Sequence, residues 1–99
     1  MTKTISNLER LQTWFVSQCD GDWEHSYGIS ISTADNPGWI VDIELLETNL
    51  VGRNFESLRI ERSENDWLIV FSGPDMFKIR CGPSNLEEGL GIFCDWAEV

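Results

Sequence analysis

Twice between Trp23 and Leu45 the chain sets an apolar side chain at every second position, and that alternation limits what it can become. Trp23, His25, Tyr27, Ile29 and Ile31 fall on one side of an extended chain, and Glu24, Ser26, Gly28, Ser30 and Ser32 on the other. After Ala34-Asp35-Asn36-Pro37-Gly38 the pattern resumes, with Trp39, Val41, Ile43 and Leu45 on one side and Asp42 and Glu44 on the other. A period of two belongs to a strand with one face in the core, so the segment predicts a β-hairpin. Its register follows from requiring both apolar sets to share a face, because a one-residue slip would turn one whole set into water. That sets Ile31 opposite Val41 and Ile29 opposite Ile43, and on the other face Ser30 opposite Asp42 and Gly28 opposite Glu44. The outer face is then acidic, with small side chains on its first strand.

The flanking segments read in the same way. Ser6 and Glu9 have the spacing of a capping box, and Leu8, Leu11, Trp14 and Phe15 recur at helical intervals, which predicts a helix over residues 7–18. Asp20-Gly21-Asp22 supplies turn chemistry to end it. Residues 47–54 read as a loop. Leu58 and Ile60 then alternate with Arg59 and Glu61 up to a turn at Ser63-Glu64-Asn65-Asp66, Trp67 to Phe71 is apolar on both faces as in a central strand, and Phe77, Ile79 and Cys81 alternate with Lys78 and Arg80. Ser84 and Glu87 form a second capping-box pattern ahead of Leu86, Leu90, Phe93 and Ala97, a helix weakened by Gly89 and Gly91 at up to ~1 kcal/mol each. The expectation is one α+β domain over residues 1–99, a mostly antiparallel five-stranded sheet with the N- and C-terminal helices packed on one face in two layers. The opposite face would show Asp42, Glu44, Arg59, Glu61, Lys78 and Arg80, with Leu68 and Val70 among them.

Charge narrows the class of partner. The net charge of −10 is unevenly spread, because residues 11–52 hold seven acids (Asp20, Asp22, Glu24, Asp35, Asp42, Glu44 and Glu47) and no Lys or Arg. Nucleic-acid binding depends on cations that neutralise phosphates, so nucleic acid is excluded and a basic protein is favoured. A hydrophobic content of 41% with five Trp and five Phe separates the chain from disordered acidic tails, which have few aromatics. Three cysteines at 19, 81 and 94 make no paired motif and suggest reduced thiols. The longest apolar run, Trp67 to Phe71, is five residues, far short of the roughly 20 that span a bilayer, and no apolar leader opens the chain. The expected setting is cytoplasmic, without membrane contact.

Chemistry concentrates between Gln18 and Gly28, where three acids, two large aromatics and the single histidine fall in eleven residues. A calcium loop starting at Asp20 would need Gly and Glu where His25 and Ile31 stand. Cys19, His25, Cys81 and Cys94 are zinc-ligand types without zinc-ligand spacing, so no metal and no cofactor is assigned. Glu24 with His25, or Cys19 with His25, would offer acid, base and nucleophile to a small hydrolase or metal-dependent enzyme. On a strand, however, Glu24 and His25 point to opposite faces and His25 lies among core aromatics, as a hydrogen-bonded structural histidine would. No phosphate-binding, dinucleotide or nucleophile-elbow glycine pattern is present. The chain is therefore expected not to be an enzyme, and no catalytic residue is assigned. A ligand-binding module using the open sheet face is a further alternative. Asp20, Asp22, Trp23, Glu24, Asp42 and Glu44 are the candidate contacts for a protein partner, as an aromatic ringed by acids.

The block Q-C-D-G-D-W-E-H-S-Y-G-I-S-I, the following D-N-P-G-W and the late C-G-P-S-N-L-E-E together resemble the immunity protein 53 family of bacterial polymorphic toxin systems. The resemblance runs from Leu11 to Trp96, and W-E-H-x-Y-G followed about ten residues later by N-P-G-W is a specific combination. It implies a small cytosolic α+β protein, encoded beside a toxin, that binds the toxin domain and protects the producing cell and its kin. A basic toxin such as a nuclease would suit the acidic surface. The resemblance brings no catalytic residues, and it leaves the oligomeric state open.

Overall fold

The computed structural model describes residues 4–99. In chain order the elements are helix α1 (Asn7–Gln18), a single helical turn α2 (Trp23–Ser26), strands β1 (Ile29–Ala34), β2 (Gly38–Glu44), β3 (Leu58–Ser63), β4 (Asp66–Ser72) and β5 (Met76–Cys81), and helix α3 (Leu86–Ala97). The strands make one antiparallel sheet in the order β1-β2-β5-β4-β3. The fold is thus α+β, with helices at both ends of the chain where the helical spacing of apolar residues predicts them. Among the described residues no helix is long and apolar enough to cross a membrane.

The hairpin register is the expected one, with Ile29 opposite Ile43, Ser30 opposite Asp42 and Ile31 opposite Val41. Val41, Ile43, Phe77, Ile79, Cys81, Leu68 and Val70 line the core face of the sheet and are fully buried. Above them Phe77 touches Phe55, Phe93 and Trp96 with ring centroids at 4.9, 5.1 and 5.1 Å. Phe93 meets Trp14 at 5.1 Å and Trp14 meets Trp23 at 5.9 Å, so one aromatic chain runs through the core from the β2–β3 connection to α2. Each such pair adds about 0.5–1.5 kcal/mol beyond the area it buries.

Three expectations are corrected. Trp23 to Tyr27 is not the start of a strand but a helical turn and its C-cap. Residues 23 and 27 share a face at either period, being four apart, whereas His25 shares it only in a strand. In the helical turn His25 swings away and is exposed, so it is not a core histidine. The second correction is the phase of β4: Leu68 and Val70 face the core, and Trp67, Ile69 and Phe71 face the open side. A strand apolar on both faces leaves its phase undetermined in sequence, and here pairing sets it, with Leu68 opposite both Ile60 and Cys81. The loop between β2 and β3 also buries Thr48 and Leu50, which carry no periodic signal.

The third correction concerns the helix caps. Ser6 caps α1 as expected, its hydroxyl accepting the Glu9 amide at 3.1 Å. Ser84 does not cap α3, whose N-cap is Asn85. Asn85 is nearly buried and turns its amide elsewhere, accepting from the Trp67 N–H at 3.2 Å and donating to Asp66 at 2.8 Å and Glu88 at 3.2 Å. Glu87, the expected partner of Ser84, reaches α1 and accepts the Asn7 and Leu8 amides at 2.9 and 3.3 Å. The cap motif serves the neighbouring helix and ties the two ends of the chain together.

The glycines that weaken α3 in isolation let it lie close on the sheet. A Cβ at Gly89 would stand 2.9 Å from the Cγ2 atom of Ile79, a branched methyl in a filled core. Gly89→Ala is therefore expected to be destabilising, since overpacking at about 1–3 kcal/mol outweighs the ~1 kcal/mol gain in helix propensity. Thermal unfolding reads the sign: a raised melting temperature would mean that α3 can lift off β5 freely.

Candidate functional site

The acid-rich segment between α1 and β1 is built by its own side chains. Asp20 Oδ1 accepts the amides of Asp22 and Trp23, both at 2.9 Å, and the Glu24 carboxylate reaches back to the amides of Asp20 and Gly21 at 3.0 and 2.9 Å. Four backbone donors at the start of α2 are thereby satisfied by two carboxylates, and Gly21 supplies the positive φ of 96° that the turn needs. These short-range bonds outcompete the extended conformation suggested by the alternation. Amide donors stabilise the ionised form, so both carboxylates lie below their ordinary pKa: Asp20 through the amides of Trp23 and Asp22, Glu24 through its own backbone amide first and then those of Asp20 and Gly21.

A pH dependence follows. A carboxylate held below its unfolded pKa contributes stability that is present above the ordinary carboxylate range and lost as pH falls through the folded value. The segment is expected to loosen below about pH 4, where unfolded Asp and Glu take up protons. In an NMR titration the amides of Asp22 and Trp23 should move together as Asp20 takes up its proton, and those of Asp20 and Gly21 together as Glu24 does. Independent midpoints within either pair would break the assignment.

Trp23 sits under this cluster as a core side chain, 2% exposed, edge-on to Trp14 and Phe15 at 5.9 Å each. Its indole N–H donates to the Leu46 carbonyl at 3.0 Å and binds α2 to the loop after β2. It supports the acidic surface from below and is not itself presented to a partner. Asp22 is exposed, as is His25. Asp42 and Glu44 project from β2 onto the open face, half-buried. Asp42 pairs with Arg80 at 2.9 Å, and Glu44 accepts the Gly28 amide at 2.6 Å. Two bonds tie this part of the chain to β2 and the loop after it, from the Gly28 amide to Glu44 and from the Trp23 indole to the Leu46 carbonyl.

This region is poorly equipped for catalysis. Both oxygens of Glu24 are occupied by amides, and the Cys19 thiol is pushed up by desolvation and by the Glu24 and Asp20 charges, which keeps it protonated. Cys81 and Cys94 are buried in the core, and burial lifts the Cys81 thiol to about 11. No group of three or more His, Cys, Asp or Glu among the described residues is placed to hold a metal.

Two surface features escaped the sequence reading. One is an apolar groove of about 340 Å³ between α1 and the edge strand β1, lined by Leu11, Gln12, Phe15, Ile29 and Ile31. The other is a hollow of about 310 Å³ across β1, β2 and β5, lined by Gly28, Ile29, Ser30, Asp42, Glu44 and Met76. The groove was invisible because periodicity assigned Ile31 wholly to the core, whereas at the sheet edge it is 39% exposed. The available signal was the run Ile29–Ala34, which has no charged residue at all.

None of the curated proteins and none of the solved structures matches the chain. The model of the family described as immunity protein 53 matches residues 8–98, which takes in all but the first residue of α1 and every element after it. The match supports an immunity role, and the chain belongs to the immunity protein 53 family.

Proposed function

We propose that this chain neutralises a cognate toxin domain by forming a stoichiometric complex with it, without catalysis, in the cytoplasm of a bacterium carrying a polymorphic toxin system. The observation that carries the reading is the family match over residues 8–98. The charge distribution supports it further: residues 11–52, with seven acids and no Lys or Arg, suit a basic toxin such as a nuclease, because complementary charge speeds encounter and disfavours wrong partners. Asp20, Asp22, Glu24, Asp42 and Glu44 form the charged part of the contact, with Trp23 as its buried support.

The test is co-expression with the toxin domain encoded next to this chain, followed by affinity pull-down and survival counting. A one-to-one complex that restores growth is the expected result. Rescue without a complex, or destruction of the toxin in a manner abolished by His25→Ala, would replace binding by an enzymatic mechanism. Neither complex nor rescue would reject that toxin as the partner.

A further inference from the structure

The two edges of the sheet are built differently. β3 carries Arg59, Glu61 and Arg62 and an irregularity between Glu61 and Ser63, the usual defences against pairing with another chain. β1 reads Ile-Ser-Ile-Ser-Thr-Ala, with no charge, no proline and an unbroken register. The Glu44 amide donates to the Gly28 carbonyl at 3.1 Å, which fixes the phase of pairing with β2. In an antiparallel ladder hydrogen-bonded pairs alternate, so Gly28, Ser30, Ser32 and Ala34 face β2 with their backbone groups, while Ile29, Ile31 and Thr33 direct theirs away from the sheet. Among the described residues no loop or cap hydrogen bond reaches those three.

The surroundings of this edge say what would fit it. On the core side lies the groove of Leu11, Phe15, Ile29 and Ile31, open to an apolar side chain. On the other side Gly28 stands opposite Glu44 and Ser30 opposite Asp42, so only small residues separate the edge from the hollow that holds the two half-buried β2 carboxylates. Two strand spacings, about 10 Å, separate an added strand from β2, a gap a Lys or Arg can close across Gly28 and Ser30. Arg80 engages one oxygen of Asp42 only. Acids also stand at each end of the strand, Asp20, Asp22 and Glu24 before it and Asp35 after it. A second copy of this chain would bring the same acids against themselves.

We propose that the free edge of β1 takes up an extended segment of the toxin as a sixth strand, one set of its alternate side chains apolar and seated in the α1–β1 groove, the other basic and reaching across Gly28 and Ser30 to Glu44 and Asp42. This rests on the immunity reading and specifies its surface.

The test uses the full chain and the catalytically inactivated toxin domain encoded beside it. Thr33→Pro removes an amide that points away from β2, and proline is tolerated at such an edge position. The variant should keep its melting temperature within a few degrees while binding at least tenfold more weakly, and the wild-type amides of Ile29, Ile31 and Thr33 should gain hydrogen-exchange protection in the complex. A wild-type complex without that protection, or a folded Thr33→Pro variant of unchanged affinity, overturns the edge assignment and leaves the immunity reading standing. If Thr33→Pro fails to fold, the exchange measurement on the wild type decides alone. Self-association abolished by Thr33→Pro would make a second copy the occupant and overturn the proposal, and absence of any wild-type complex overturns both readings.

Discussion

Trp23→Ala is expected to destabilise the protein by about 3–5 kcal/mol, the range for truncating a buried large aromatic. For a domain of this size each kcal/mol moves the melting temperature by roughly 4–8 °C, so a fall of more than about 12 °C should be seen by calorimetry. Three features add up in that number. The side chain is 2% exposed, its ring contacts Trp14 and Phe15 edge-on, and its N–H satisfies the Leu46 carbonyl. Trp23→Phe separates them, since it keeps most of the apolar contact and loses the hydrogen bond, worth about 0.5–1.5 kcal/mol. A variant that melts like the wild type but releases the toxin faster would return Trp23 to the surface as a direct anchor.

Trp23 also shows where sequence reasoning succeeds and fails in this chain. Periodicity located the hairpin and its register because a slip there would have moved four apolar side chains into water. The same rule misread residues 23–27, since Trp23 and Tyr27 keep a common face in a strand and in a helical turn. The deciding interactions were the carboxylates of Asp20 and Glu24 closing on nearby amides, and these have no period. The phase of β4 was likewise hidden: Trp67 to Phe71 is apolar throughout, so only its neighbours Ile60 and Cys81 fix which residues face inward. Of the candidate contacts, the acids were readable as a one-sign run. Their division into structural and free groups required the hydrogen bonds.

That division shapes the charge prediction. Removing Asp20 or Glu24 would strip amide partners from the start of α2, so a change in binding could arise from a disordered segment as easily as from lost charge. Asp22, Asp35 and Glu47 are exposed, and among the described residues none of their carboxylates is held by a hydrogen bond or ion pair. Asp22 belongs to the proposed contact, so the double variant Asp35→Asn, Glu47→Gln is the one that tests long-range attraction alone, and surface changes of this kind cost within about 0.5 kcal/mol each. It should associate with a basic toxin roughly tenfold or more slowly at low salt, with a nearly unchanged dissociation rate. The gap should close as salt rises, because at about 0.15 M charges more than ~8 Å apart are screened. Stopped-flow association at several salt concentrations measures this directly. Equal rates for variant and wild type at low salt would mean that encounter is not steered by this region, and the acidic character of residues 11–52 would then serve solubility and not recognition.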